Sequence, residues 1–438
     1  MRFGFFAVSV RAVWFATALL CAAVAPASAQ ETTKAHSAKS GKKEKKAAAP
    51  AEGIFSWQRH PSLQFGDIAK IELRARVAGD DRRSGILLPD GEPATDTDTR
   101  HRVAVSGTVV KVAAFQIERD LGERVWRDVF ANYRQFDHVE LQAGQFKVPF
   151  GLDLNTNSSN LDFVYRSRAA SELSPGRDRG VMAHGRITKA IRYETGMFAH
   201  DGENAHSSNP RKVSGRRTLA GRIVAQPARS LDSIFEDLQV GVGYTTSEIP
   251  EGVSALRGRT PLGDAFFEPD YYVRGRRQRA GVEARWRSGP FAVQSEYVRV
   301  TTDRLQQGMA GDDLPALEAS AWYASGTWIV TGERKKKGAN DPRRPLFNGG
   351  IGAVELAARI ETLGFASHGD DEPSTSPRAA TVTPYRDRIA TIGVNWFPNR
   401  WMKVQANIVR DAIAAPPTSL AAPSGTYWSR VLRVQFEL

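Results

Sequence analysis

Strict alternation of apolar and charged residues constrains this chain more than any other feature. In Lys70–Val77 (KIELRARV), Ile71, Leu73, Ala75 and Val77 share one parity, and Lys70, Glu72, Arg74 and Arg76 share the other. A period of two belongs to a β-strand, whose successive side chains leave opposite faces of the sheet. Similar segments recur near 100–109, 113–119, 125–134, 138–147, 180–188, 191–199, 213–226, 236–248, 270–286, 290–300, 317–331, 350–366, 384–396, 400–410 and 426–438. That makes about 16 strands, the even count of a bacterial outer-membrane barrel. From Leu63 onward no apolar run is long enough to cross a bilayer as a helix. Two architectures use such strands. A soluble sandwich turns its charged face to bulk water, whereas a membrane barrel turns its apolar face to lipid and its charged face to a wet lumen. Alternation alone does not choose between them.

The start of the chain favours export. Arg2 and Arg11 flank the first segment, an apolar run covers Ala12 to Val24, and Ala27-Ser28-Ala29 has the form of a cleavage site, so residues 1–29 read as a signal peptide. The single cysteine, Cys21, lies inside that run, so the mature chain has no disulfide or thiolate metal site. Residues 30–53 form a Lys/Ala-rich periplasmic tail, too poor in apolar residues to offset the entropy of ordering. The first 52 residues hold two Arg and six Lys against three Glu, a net +5, so +7 of the whole-chain +12 belongs to the barrel candidate, 54–438. No groove-reading motif accompanies that charge, and an exported chain seldom meets nucleic acid.

Connection lengths test the layout. With a periplasmic N-terminus, long polar inserts should follow odd strands, as at 79–99, 148–178, 200–212, 249–269, 301–316, 367–383 and 411–425. Short links follow even strands, such as 287–290 and 397–400, while 120–124 (short) and 332–349 (long) depart from the rule. Trp286, Trp322, Tyr323, Trp328, Trp396, Phe397, Trp401, Tyr427 and Trp428 cluster near strand ends, as a membrane girdle would.

One stretch, Leu141 to Val181, breaks the pattern. It begins as a strand, is interrupted by Pro149 and Gly151, and continues as a long polar segment before alternation resumes at Val181. Its blocks GQFKVPFG, FVYRSRA and PGRDRGV resemble, in that order, the phosphate-selective porin O and P family of Gram-negative outer membranes. WYASGTWIVTGERK with GAVELAARIETL, and IGVNWFPNRWMKVQANIVRD, are similar to later parts of the same family. The resemblance implies a trimeric transmembrane antiparallel up-and-down β-barrel whose third loop folds inward to narrow an anion pore. It also implies pore roles for Lys147, Arg166, Arg168, Arg177 and Arg179, which lie in the matching blocks.

Face parity adds Lys70, Arg74, Arg76, Arg100, Arg102, Arg274 and Arg276 as pore-lining candidates. Fixed positive charge offsets the hydration an anion loses in a narrow passage, and the planar arginine fork suits phosphate. Several moderate sites in series conduct better than one trap. Acids are close by: Glu72 shares a face with Arg74, and Asp162, Glu172 and Asp178 accompany the loop arginines, so some arginines are expected to pin the loop instead. The eight His show no metal-ligand spacing, and no nucleophile elbow, P-loop or dinucleotide fingerprint occurs, so neither enzyme activity nor a cofactor is expected. The reading is a passive outer-membrane channel for small anions, phosphate or polyphosphate foremost. A general weakly selective porin is the alternative; a soluble secreted β-protein binding acidic polymers and a barrel lipid hydrolase stand behind it.

Overall fold

In a computed structural model, residues 55–57, 60–87, 93–136, 138–203, 217–268, 270–337, 340–416 and 422–438 are described. The signal-peptide and tail expectations lie outside them. Sixteen strands form one closed antiparallel barrel. They are β1 (Ala69–Leu87), β2 (Pro93–Val109), β3 (Ala113–Asp120), β4 (Val125–Tyr133), β5 (Glu140–Lys147), β6 (Arg177–Arg186), β7 (Ile191–Phe198) and β8 (Thr218–Ala225). The rest are β9 (Gln239–Val253), β10 (Tyr272–Ser288), β11 (Phe291–Arg304), β12 (Leu314–Ile329), β13 (Ala353–Ala366), β14 (Tyr385–Phe397), β15 (Met402–Ala414) and β16 (Gly425–Glu437). Each pairs with its sequence neighbour, and β16 closes on β1 from Arg430↔Arg83 to Glu437↔Arg76. Leu438 and Ala75 then exchange two backbone hydrogen bonds of 3.0 and 2.8 Å, leaving no open edge at that seam.

The faces fall as a membrane barrel requires. Leu73 and Val77 on β1, Val103 and Val105 on β2, Ile392 on β14 and Ile408 on β15 are exposed on the outside. Asp80, Arg433, Gln405 and Asn395, of opposite parity, are buried inside. Trp322, Trp328, Trp401 and Trp428 are exposed girdle residues, but Tyr323 and Phe397 have the other parity and point inward.

Three local features explain where the sequence pattern misleads. The polar insert expected at 79–99 is largely strand: Gly79–Arg83 pairs with Thr95–Thr99, and Arg82–Asp96 and Arg100–Asp98 ion pairs hold the polar ribbon in register. The link after β2 carries no turn residue because Val110 and Lys111 themselves adopt positive φ (50° and 64°). In β4 a register shift opposite Ile117/Arg119 puts both Trp126 and Val129 on the outside, which is why that segment shows no clean alternation.

The apolar interior is not a separate core. The connection between β9 and β10 carries a small ribbon, Gly258–Arg259 with Ala265–Phe267, that turns into the barrel. Its Phe267 stacks on Phe365 of β13 with ring centroids 4.0 Å apart and meets Tyr385 of β14 edge-on. This plug fills the lumen on the β10–β15 side, so the open passage is displaced towards β1–β7.

Candidate pore constriction

The connection between β5 and β6, residues 148–176, folds into the lumen. It holds a short helix (Leu152–Asn155), a 3-10 turn (Ser158–Asn160) and a π-helical turn (Ala169–Leu173). Val148, Phe150, Leu152, Leu154, Phe163 and Leu173 are buried, so the segment has its own apolar underside. Its backbone groups are met one by one by inward side chains of the far wall. Glu296 of β11 accepts from the N–H groups of Leu152 and Asp153 (2.8 Å for the latter) and also from the Tyr323 hydroxyl (2.7 Å). Glu361 of β13 accepts from Arg168 N–H at 2.6 Å, and Asn407 of β15 from Val164 N–H at 2.8 Å. Arg279 donates to Leu173 O, Arg359 to Tyr165 O, Asn395 to Asp162 O, and Arg433 to Val164 O. A buried polar backbone is costly unless paired, so this array fixes the loop's position.

The end of the barrel where β1 begins and β16 ends contributes as well. The link between β12 and β13 is long, and its mostly covered Lys335 bonds both Asp162 of the loop and Glu355 of β13.

Opposite the anchored face lies a cavity of about 320 Å³, bounded by β1–β7 and the loop. Arg74, Arg76, Arg102, Lys147 and Arg177 line it, together with Glu118, Asp128, Glu194 and Glu437. Arg102 bonds Asp120 at 2.8 Å, Arg177 bonds Asp128 at 2.8 Å, and Arg74 bonds Glu72 at 3.1 Å. Arg76 instead donates to Ser158 Oγ at 2.8 Å, and Lys147 donates to Thr156 O at 2.9 Å. Among the described residues neither has a carboxylate within ion-pair distance.

The remaining sequence candidates lie elsewhere. Arg100 is further along the inner face with Asp98 and Asp80, and Lys70 sits near the opposite end of β1 with Glu72. Arg166 and Arg168 hold the loop together: Arg166 donates to Asp153 O and Thr156 O, and Arg168 to Thr260 O, Arg166 O and Glu172. Burial pushes the Glu172 carboxyl above its usual range, with Arg168, Arg259 and Arg257 pulling it back; burial likewise lowers Arg166. Arg179, Arg274 and Arg276 are exposed on the outside of the barrel, not in the lumen. On β10 the inward parity belongs to Arg277, Arg279, Arg285 and Arg287, because Val282 and Trp286 set the even residues outward. That signal was present in the sequence. Arg277 and Arg279 are fully buried on Asp201.

A closed sixteen-strand barrel with a lipid-compatible outside and an inward third loop defines an outer-membrane porin. The family model described as phosphate-selective porin O and P matches residues 95–412, and the chain belongs to that family. It is 23% identical over 379 residues to Porin O of Pseudomonas aeruginosa, covering 78% of this chain and 82% of that protein. Among solved structures it is similar to an anion-selective porin from Comamonas acidovorans (TM-score 0.53, 12% identity, 84% of this chain and 99% of that one). It is also similar to OmpT of Vibrio cholerae in a trimer form (TM-score 0.53, 11% identity, 85% and 100%). At these identities the structural likeness speaks for the fold.

Proposed function

We propose that the chain forms a passive, anion-selective diffusion channel, with phosphate or polyphosphate as its candidate solutes, and works as a homotrimer without cofactor or catalysis. The observation that carries this reading is the pair Arg76 and Lys147, two basic side chains on the cavity that, among the described residues, have no carboxylate within ion-pair distance. An anion entering there exchanges hydration for guanidinium, ammonium and hydroxyl donors, while the neighbouring arginines, already ion-paired, add no further deep trap. The family and the anion-selective relative support the solute class; the trimeric relative supports the assembly. A general, weakly selective pore is the second reading, favoured by the four carboxylates that share the cavity wall. Reversal potential in a chloride gradient, with phosphate titrated as a blocker, separates them. Anion preference with phosphate block supports the first reading, anion preference without block the second, and cation preference rejects both.

A further inference from the structure

The outer wall is apolar for most of its height, yet arginines interrupt it at the extracellular margin. Arg388 (β14), Arg410 (β15), Arg430 (β16) and Arg83 (β1) all have outward parity, on four consecutive strands. Register brings them side by side. Arg430 stands directly opposite Arg83. Arg410 is opposite Trp428, two residues from Arg430, and Arg388 is two residues from Ala390, the partner of Arg410. Directly opposed residues have Cβ atoms about 5 Å apart and diagonal ones about 7–8 Å, and opposed like charges repel.

None of the four has an ion pair or side-chain hydrogen bond among the described residues. Asp81, two residues before Arg83 on the same face, forms no ion pair with it. Two other arginines of the outer wall are compensated: Arg299 bonds Glu318 at 2.8 Å, and Arg119 lies 4.8 Å from the ring centre of Trp126. Ile392 and Ile408 are paired with each other, Ile408 is directly opposite Arg430, and Leu432 follows Arg430 by two residues; all three are exposed. Arg388 is eight residues from the girdle residue Trp396, about 26 Å along the strand and roughly 20 Å in height at the usual tilt. That is close to the upper edge of an apolar band of about 25 Å.

We propose that this row binds the phosphate groups of a phosphorylated lipid in the outer leaflet, whose acyl chains lie along Ile392, Ile408 and Leu432. Guanidinium forks pair well with phosphate oxygens, basic clusters at a membrane surface attract anionic headgroups, and the exposed Trp428 suits the boundary between headgroup and chain. The position outside the barrel, directly above an apolar wall, fits a lipid and not a solute crossing the pore.

The test uses the full folded chain in detergent, incubated with a diphosphorylated glucosamine-disaccharide lipid or its dephosphorylated form, and counts bound lipids by native mass spectrometry. Wild type should hold the phosphorylated lipid at least tenfold more often than the dephosphorylated one. Arg410→Gln with Arg430→Gln should abolish that preference while single-channel conductance, which reports an intact barrel, stays unchanged. Arg388→Gln with Arg83→Gln provides a second pair should the first not fold. Equal binding of the two lipids, or full retention by a folded double variant, overturns the proposal. Separation of subunits with lipid counts per protomer preserved also overturns it, and makes the row a contact between copies.

Discussion

Arg76 of β1 and Ser158 of the inward loop are 2.8 Å apart although eighty-two positions separate them in the chain. Arg102 of β2 reaches the same hydroxyl at 3.2 Å. The contact ties the free edge of the loop to the wall opposite its anchors, and leaves Arg76 as a cation whose partner is neutral. Replacing Arg76 or Lys147 by Gln should therefore lower anion over cation permeability. A solute passing about 4 Å from a full charge in a watery lumen feels about 1 kcal/mol, about a fivefold effect per residue. Reversal potentials measure this; an unchanged ratio in both variants would show that selectivity is set elsewhere.

Glu296 is the main fastening of the loop's helix. Its carboxylate meets two successive N–H groups and the Tyr323 hydroxyl, all buried. Glu296→Ala leaves those donors unpaired, at about 1–3 kcal/mol each. The helix should lift from the wall, and single-channel records should show new conductance levels. A single steady level equal to wild type would mean that the contacts from Asn407, Glu361 and Arg433 hold the loop without it.

How much of this was legible beforehand depends on the kind of information. Strand positions were, because period-two alternation survives wherever one face meets lipid: 384–396 was expected, and β14 runs Tyr385–Phe397. The inward third loop came from family likeness, and the buried underside of 148–176 bears it out. Strand lengths above the membrane were not legible, because β1 and β2 continue on ion pairs between polar residues that look like loop. The face of the β10 arginines was readable but misassigned: Arg274 and Arg276 precede the apolar residues that fix parity, and Val282 and Trp286 give the answer only when counted back. Which loop cations are bound by neighbours was hidden, since Arg166 and Arg168 spend their donors on carbonyls brought near only by folding.

Asp201 is buried between Arg277 and Arg279, accepting from both and from Ser247. Removing its charge strands two guanidiniums in a dry site, a change that typically costs about 3–5 kcal/mol. Asp201→Ala should lower the temperature at which the folded barrel converts to the unfolded form on a denaturing gel. Asp201→Asn, which retains an acceptor, should lose less. Equal melting of both variants and wild type would mean that water or another group reaches the two arginines.

Lys335 joins three parts of the molecule: the β12–β13 link it belongs to, Asp162 of the inward loop, and Glu355 of β13. Asn395 donates to Glu355 at 2.8 Å and to Asp162 O at 2.8 Å, so the ammonium closes a ring of polar contacts at the base of the constriction. Lys335→Met keeps the length and apolar stem of the side chain but leaves two carboxylates facing each other without a cation. Like charges at that range repel, and the mobile partner is the loop, because Glu355 is fixed in a strand. Asp162 should move towards the lumen and add negative charge to the passage. The variant should therefore lose anion preference even though Lys335 does not line the cavity, and Lys335→Met with Asp162→Asn should restore it. Anion preference equal to wild type in Lys335→Met alone would mean that Asp162 keeps its place without the ammonium.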